Sequence, residues 1–138
     1  MSATLDACTL IALLTPDHVH HRSAVATLDT LIGGDLWVHP LNLAEVLVPH
    51  ARRDGGIADR TDGITDQLAG MGVQVWDQSD TSHAVDLACV RAELRVKMPD
   101  ACAVTTAWET GTPLLTFDAR LAGAVTRGTL PVSLVAPL

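Results

Sequence analysis

Apolar residues fall in short clusters along the chain, and their spacing alternates between that of strands and that of helices. The run over residues 3–5 predicts a strand ending at Asp6, and 7–14 suits a helix broken at Pro16. From Asp17, which suits a cap, Val19, Ala24, Leu28, Leu31 and Ile32 recur at helical spacing until Gly33 and Gly34 halt them. Residues 36–39 predict a second strand. The stretch 40–53 carries Leu43, Val46 and Leu47 on a helix ending at Gly55-Gly56, with Pro49 expected to kink or shorten it. Residues 57–68 repeat the helical pattern, and 73–76 alternate like a strand. The stretch 79–95 is the clearest amphipathic helix, its stripe passing through Ala84, Leu87, Ala88, Arg91 and Leu94, away from Asp86, Glu93 and Arg95. Met98-Pro99-Asp100 then opens a helix to about Trp108, with Asp100 at its head, where exposed amides favour a carboxylate. A buried strand over 114–117 ends at Asp118, a short helix passes through Leu121 and Val125, and a last strand covers 132–135. Such alternation implies one α/β domain over residues 1–138, a mainly parallel sheet flanked by helices on both faces.

Composition narrows the class. The 138 residues suffice for one domain, and 48% hydrophobic side chains supply a core and exclude a disordered chain. No apolar run approaches the roughly 20 residues needed to span a bilayer, and no basic segment precedes the first one, so neither a membrane span nor a secretory leader is expected. Cys8, Cys89 and Cys102 form no CxxC or Cys/His pattern, which predicts small core residues in a reducing, cytoplasmic setting. The formal charge of −7 opposes non-specific binding to nucleic acid, unless divalent metal neutralises part of the acidity.

The position of the acids gives that exception substance. In open parallel sheets ligands bind beyond the carboxyl ends of the strands. Asp6 and Asp118 follow strands, Asp100 begins a helix pointing at the same edge, and Glu45 lies about one turn into the helix after the second strand. Four carboxylates from distant segments can therefore converge. Packed together they repel, and a hard cation such as Mg²⁺ or Mn²⁺ keeps several ionised. Such ions also serve phosphoryl displacement, so a metal-dependent phosphodiesterase follows.

The local contexts of these acids carry a resemblance. Thr4-Leu5-Asp6-Ala7-Cys8, Asn42-Leu43-Ala44-Glu45-Val46, Met98-Pro99-Asp100-Ala101 and Leu115-Thr116-Phe117-Asp118 resemble, in order and spacing, the acidic motifs of PIN-domain ribonucleases. In size the chain looks most like the VapC-type toxins of type II toxin–antitoxin pairs, over about residues 3–135. The resemblance implies that Asp6, Glu45, Asp100 and Asp118 are the metal-binding acids, with Thr116 in the supporting position of the T-x-D motif. It further implies a Mg²⁺- or Mn²⁺-dependent endoribonuclease, acting on RNA as a homodimer and silenced by a cognate antitoxin. Asp6, Asp100 and Asp118 would hold one or two ions, Glu45 would bind metal or orient the attacking water, and the product would keep a 5′-phosphate. Cys8 departs from the small hydroxyl residue of many members, and a thiol is a weaker hydrogen-bond partner for the first acid.

Each acid also has a plain structural use. Asp6 suits a helix cap, Asp100 a helix head, Glu45 a solvated helix face and Asp118 a turn. Two other functional classes fit parts of the pattern: a receiver-like signalling domain, and a non-catalytic acidic metal-binding partner protein. A receiver wants paired acids after its first strand and a lysine after a later one, whereas Asp6 precedes Ala7 and the only lysine is Lys97. His18, His20 and His21 read as a solvated helix start rather than a metal tract. Arg52 and Arg53 suit the end of the Glu45 helix, and Arg91, Arg95 and Lys97 offer a basic rim beside Asp100. Trp37, Trp76 and Trp108 are assigned to core or dimer interface. An apolar groove between residues 40–53 and 57–68, including Leu47, is expected to receive the antitoxin.

Overall fold

In the computed structural model, residues 1–52 and 57–138 are described, residues 57–60 by backbone alone. Among them the strands are β1 (Ala3–Leu5), β2 (Leu36–Val38), β3 (Val73–Val75) and β4 (Leu114–Leu115). The helices are α1 (Ala7–Leu14), α2 (His21–Thr30), α3 (Pro40–Ala51), α4 (Ile57–Gly70), α5 (Thr81–Leu94), α6 (Met98–Thr110) and α7 (Ala119–Arg127). The strands form one all-parallel sheet in the order β3-β2-β1-β4, so β1 is central and the chain reverses its direction of travel across the sheet there. That crossing point is where an open parallel sheet leaves a crevice at its carboxyl edge.

Side-chain alternation along the strands divides the core in two. Ala3, Leu5, Leu36, Val38 and Leu115 pack with Leu10, Leu13 and Ala24 of α1 and α2. Leu114, one residue from Leu115 and so on the opposite face, packs with Val90, Val104, Leu121 and Val125 of α5, α6 and α7. Residues 101–107 of α6 are all essentially inaccessible, because α6 contacts the sheet and is covered by α3 and α5. A helix so enclosed favours small side chains, and its buried hydroxyls satisfy themselves within the helix: Thr105 donates to the Ala101 carbonyl at 2.7 Å and Thr106 to Cys102 at 2.9 Å.

Several expected boundaries shift, for local reasons. Helix α2 begins at His21 rather than Asp17, because residues 15–21 turn through hydrogen bonds from His18 N to Thr15 O and His21 N to His18 O. Asp17 is therefore no cap, and Val19 and Ile32 are exposed. Gly33 takes a positive φ of 90°, and a Cβ on Gly34 would collide with the Met1 backbone, which accounts for the glycine pair after α2. His39 ends the second strand early by becoming the N-cap of α3. Pro49 lies inside α3, which continues to Ala51; the expected end at Arg53 and the Gly55-Gly56 stop lie outside the described residues.

The stripe expected on α5 is also rotated. Ala84, Ala88 and Arg91 are exposed, and the covered positions are His83, Leu87, Val90 and Leu94. The buried histidine at the head of the stripe hid the true face from a hydrophobicity pattern. The strand expected over 132–135 is only an isolated parallel bridge between Leu134 and Leu114, since β4 offers just two residues to pair with. No helix among the described residues is long and apolar enough to cross a membrane.

Candidate active site

Asp6 leaves β1 directly into α1, and its two carboxylate oxygens do different work. Oδ1 accepts from the Thr9 amide at 2.9 Å and caps α1. Oδ2 accepts from the Thr116 hydroxyl and from the Cys8 thiol, the latter at 3.6 Å. Thr116 Oγ1 also accepts from the Asp118 amide at 3.0 Å, so one hydroxyl ties the end of β1 to the start of α7. Asp118 in turn caps α7, Oδ1 accepting from the amides of Arg120 at 2.9 Å and Leu121 at 3.3 Å. Capping and site formation are thus compatible, because each cap engages one oxygen of its carboxylate.

Glu45 and Asp100 arrive on helices started by prolines, Pro40 in α3 and Pro99 in α6. Asp100 is half-buried in the first turn of α6, and Glu45 is exposed in the second turn of α3. Asp6, Glu45, Asp100 and Asp118 line a single cavity of about 300 Å³ with Ala7, Cys8, Ile11 and Asn42. The four acids expected to converge therefore share one cavity.

Their charges act on one another. Burial, then Asp118 and Asp6, push the Asp100 carboxyl above the usual carboxylate range, against the opposing pull of Lys97 and Arg120. Burial, then Asp100 and Asp6, raise Glu45 likewise. Burial and Asp6 lift the Cys8 thiol to about 11, so it stays protonated and donates to Asp6.

The donor set suits a hard divalent cation, since all four acids offer oxygen. Asn42 adds an observation of its own. It is almost fully buried, its Nδ2 donates to the Pro99 carbonyl at 2.9 Å, and its Oδ1 has no hydrogen-bond partner among the described residues. A buried amide oxygen without a donor, lining a cavity of carboxylates, fits a site built for a cation. As arranged, no three of the described carboxylate, imidazole or thiol groups meet at a single ligating point.

The remaining candidates separate clearly. Arg95 and Lys97 line a neighbouring cleft, whereas Arg91 is exposed on α5 outside it. Arg52 is the C-cap of α3, and Arg53 lies outside the described residues. His20 stacks on Phe117 with ring centroids 4.9 Å apart and His21 bonds the Ala12 carbonyl at 2.7 Å, so these histidines pack rather than form a metal tract. Of the cysteines expected in the core, Cys102 is buried, Cys8 borders the acid cavity and Cys89 is exposed, because it falls on the outward face of the rotated α5. Trp37 and Trp76 meet edge to face at 5.2 Å.

Two features escaped the sequence reading. Asn42 was visible only as the residue one turn before Glu45. The other is a relay from Glu109 through His83 to His39, with His83 Nδ1 at 2.7 Å from Glu109 Oε1 and the two Nε2 atoms 3.0 Å apart. His39 Nδ1 accepts from the Leu41 amide at 3.1 Å, so its proton sits on Nε2 and is donated to His83. The relay braces the start of α3 against α5 and α6. Its members are dispersed over positions 39, 83 and 109, a spacing with no local signature.

With this geometry in place, comparison with known proteins is decisive for the family. Residues 3–125 match the PIN domain. The chain belongs to the PIN domain family. No curated protein sequence matches it. Among solved structures, this PIN domain is similar to VapBC2 from Rickettsia felis bound to a promoter DNA fragment, with a TM-score of 0.74, 14% identity and all of both chains covered. It is similar to a toxin–antitoxin complex from Klebsiella pneumoniae, with a TM-score of 0.68, 19% identity, and 96% of this chain and 99% of that one covered. It is also similar to Mycobacterium tuberculosis VapC20, a sarcin–ricin loop cleaving toxin, with a TM-score of 0.66, 16% identity, and 88% and 94% covered. At these identities the likeness establishes the PIN fold, with the sheet order described above.

Proposed function

We propose that this PIN domain is a divalent-metal-dependent endoribonuclease, the toxin of a type II toxin–antitoxin pair acting in the cytoplasm. The observation that carries the reading is the single cavity lined by Asp6, Glu45, Asp100 and Asp118. Asp6, Asp100 and Asp118 would hold one or two Mg²⁺ or Mn²⁺ ions, with the Asn42 Oδ1 as a further oxygen. When bound, such an ion would supply Lewis-acid stabilisation of charge developing on the phosphoryl group. Glu45, exposed to incoming water and with its pKa raised by burial and by Asp100 and Asp6, takes the proton of the attacking water. The water oxygen bonds to phosphorus, the bond from phosphorus to the 3′-oxygen breaks, and the leaving oxygen takes up a proton, so the product keeps a 5′-phosphate. Thr116 and Cys8 position Asp6, the buried acid, by donating to its Oδ2.

The toxin–antitoxin character of the structural neighbours supports a cognate antitoxin as partner; a homodimer as the working form is part of the same proposal. Helices α3 and α4 contact one another, and Leu47 is half-buried; Leu41 and Val48 are the large apolar residues that α3 leaves exposed to an antitoxin. The deciding experiment is cleavage of a mixed RNA pool by the purified protein with Mg²⁺ or Mn²⁺, with chelator, and by Asp100→Asn. Cleavage requiring both the metal and Asp100 is expected. Intact RNA in every sample, from folded protein that binds metal, would overturn the nuclease reading in favour of a metal-binding partner protein.

A further inference from the structure

Beside the acid cavity lies a second cleft, of about 460 Å³, between the α5–α6 junction and α7. It shares Asp100 and Asp118 with the acid cavity, so the two spaces are adjacent and those carboxylates line both. Its other charged lining residues are Arg95, Lys97, Arg120 and Arg127. These are four of the nine basic residues in a chain of net charge −7, and none of them makes an ion pair among the described residues. Lys97 and Arg120 already act on Asp100 in the same lining, which leaves Arg95 and Arg127 as the cleft's bases without an acidic partner among the described residues, and exposed guanidinium groups of this kind are complementary to a polyanion.

The backbone on one side of the cleft accommodates an arginine at some expense. Arg95 closes α5 in the left-handed conformation, at φ 54° and ψ 42°, its amide donating to the Arg91 carbonyl at 2.9 Å. Glycine is the usual occupant of that position, and Gly111 fills the equivalent one at the end of α6 with φ 66°. Arg95 is the one non-glycine residue with positive φ among those described. Across the cleft, a Cβ on Gly123 would stand 2.9 Å from the Arg127 guanidinium. Gly123 sits inside α7, where alanine would favour the helix, and the room it leaves is taken by that guanidinium.

We propose that this cleft holds the phosphodiester backbone of the RNA next to the scissile bond, with Arg95 and Arg127 as its phosphate-binding residues. The proposal rests on the ribonuclease reading above. Guanidinium groups bind phosphate oxygens in pairs, and the cleft contains no aromatic side chain on which a base would stack. Recognition here is therefore of the backbone and independent of sequence.

The test is fluorescence anisotropy of a labelled, random-sequence single-stranded RNA over a range of KCl, with Mg²⁺ present. All proteins carry Glu45→Gln, so that the RNA stays intact. Arg95→Gly, Arg127→Ala and the double variant are compared with Arg22→Ala, a base on α2 outside the cleft. Each cleft charge removed should flatten the log–log salt dependence by about 0.7, and Arg22→Ala should leave it unchanged. Arg95→Gly should also unfold at a temperature no lower than its parent, since glycine relieves the left-handed backbone. That combination, weaker binding without lost stability, is one a merely structural arginine would not produce. Unchanged salt slopes in the double variant, or no RNA binding by the parent at low salt, would overturn the proposal. A parallel cleavage assay with Glu45 restored separates the two readings. Cut RNA with unchanged slopes removes the cleft alone, and flattened slopes without any cutting remove the nuclease alone.

Discussion

Asn42 donates from Nδ2 to the Pro99 carbonyl oxygen at 2.9 Å, joining the helix of Glu45 to the helix of Asp100. The bond spans two elements that approach the cavity from distant parts of the chain. Asn42→Ala removes it, and the loss of one such bond costs about 0.5–1.5 kcal/mol. Thermal unfolding should register that loss, and RNA cleavage should fall with it. An unchanged unfolding temperature would show that the spacing of α3 and α6 does not depend on this bond.

Thr116 holds Asp6 and Asp118 in register through one oxygen, donating to the first and accepting from the amide of the second. Thr116→Val keeps the shape and loses both bonds. A displacement of about 1 Å at a reacting centre is worth roughly a hundredfold in rate. We therefore expect kcat for RNA cleavage to drop by roughly 10- to 100-fold with little change in KM, and Thr116→Ser to restore it. Equal activity in all three proteins would remove Thr116 from the positioning of Asp6.

The relay through His83 makes stability depend on pH. Burial, then the neighbouring His83, lower His39 from 6.5 to about 4, against a smaller opposing effect of Glu109. The unfolded chain therefore binds the proton more readily between those values. Stability from neutral His39 is complete above about pH 6.5 and is lost as pH falls towards 4, by a total on the order of 3 kcal/mol. His39→Asn retains a capping side chain for α3 and cannot titrate there. The difference in unfolding free energy between wild type and this variant, followed from pH 8 to pH 4, should decline below pH 6.5. A difference independent of pH would dissociate the histidine from acid sensitivity.

Thiol chemistry distinguishes the cysteines. Cys8 and Cys102 are both raised to about 11, by burial first, and then by Asp6 and Glu45 respectively. Thiolate is the reactive form, so neither should react appreciably at pH 8. Cys89 is exposed on α5. Brief treatment of the folded protein with iodoacetamide, read by peptide mass spectrometry, should therefore modify Cys89 alone. Modification of Cys8 at a similar rate would mean that the acid cavity opens to reagent.

How much of the molecule was legible beforehand follows from the range of the interactions. The strand before Asp6, the prolines heading α3 and α6, and the order of β/α units are set by neighbours in sequence, and they already direct four acids to one edge of a parallel sheet. Turns and caps bound by one or two hydrogen bonds were less legible, as at Asp17, where backbone carbonyls close the turn before α2, and at His39, whose own imidazole caps α3.

The amino-acid sequence by itself determined the fold class, the family resemblance and the identity of the four acids, because periodicity, punctuation and short motifs are local properties. Tertiary structure alone decided which face of α5 is buried, since His83 finds its partners in Glu109 and His39, far away in sequence. It alone decided that Asn42 bridges two helices, and that Arg95, Lys97, Arg120 and Arg127 meet across one cleft. Those relationships join residues tens of positions apart, and the free energy of burying and pairing them exists only once the sheet has brought their helices together.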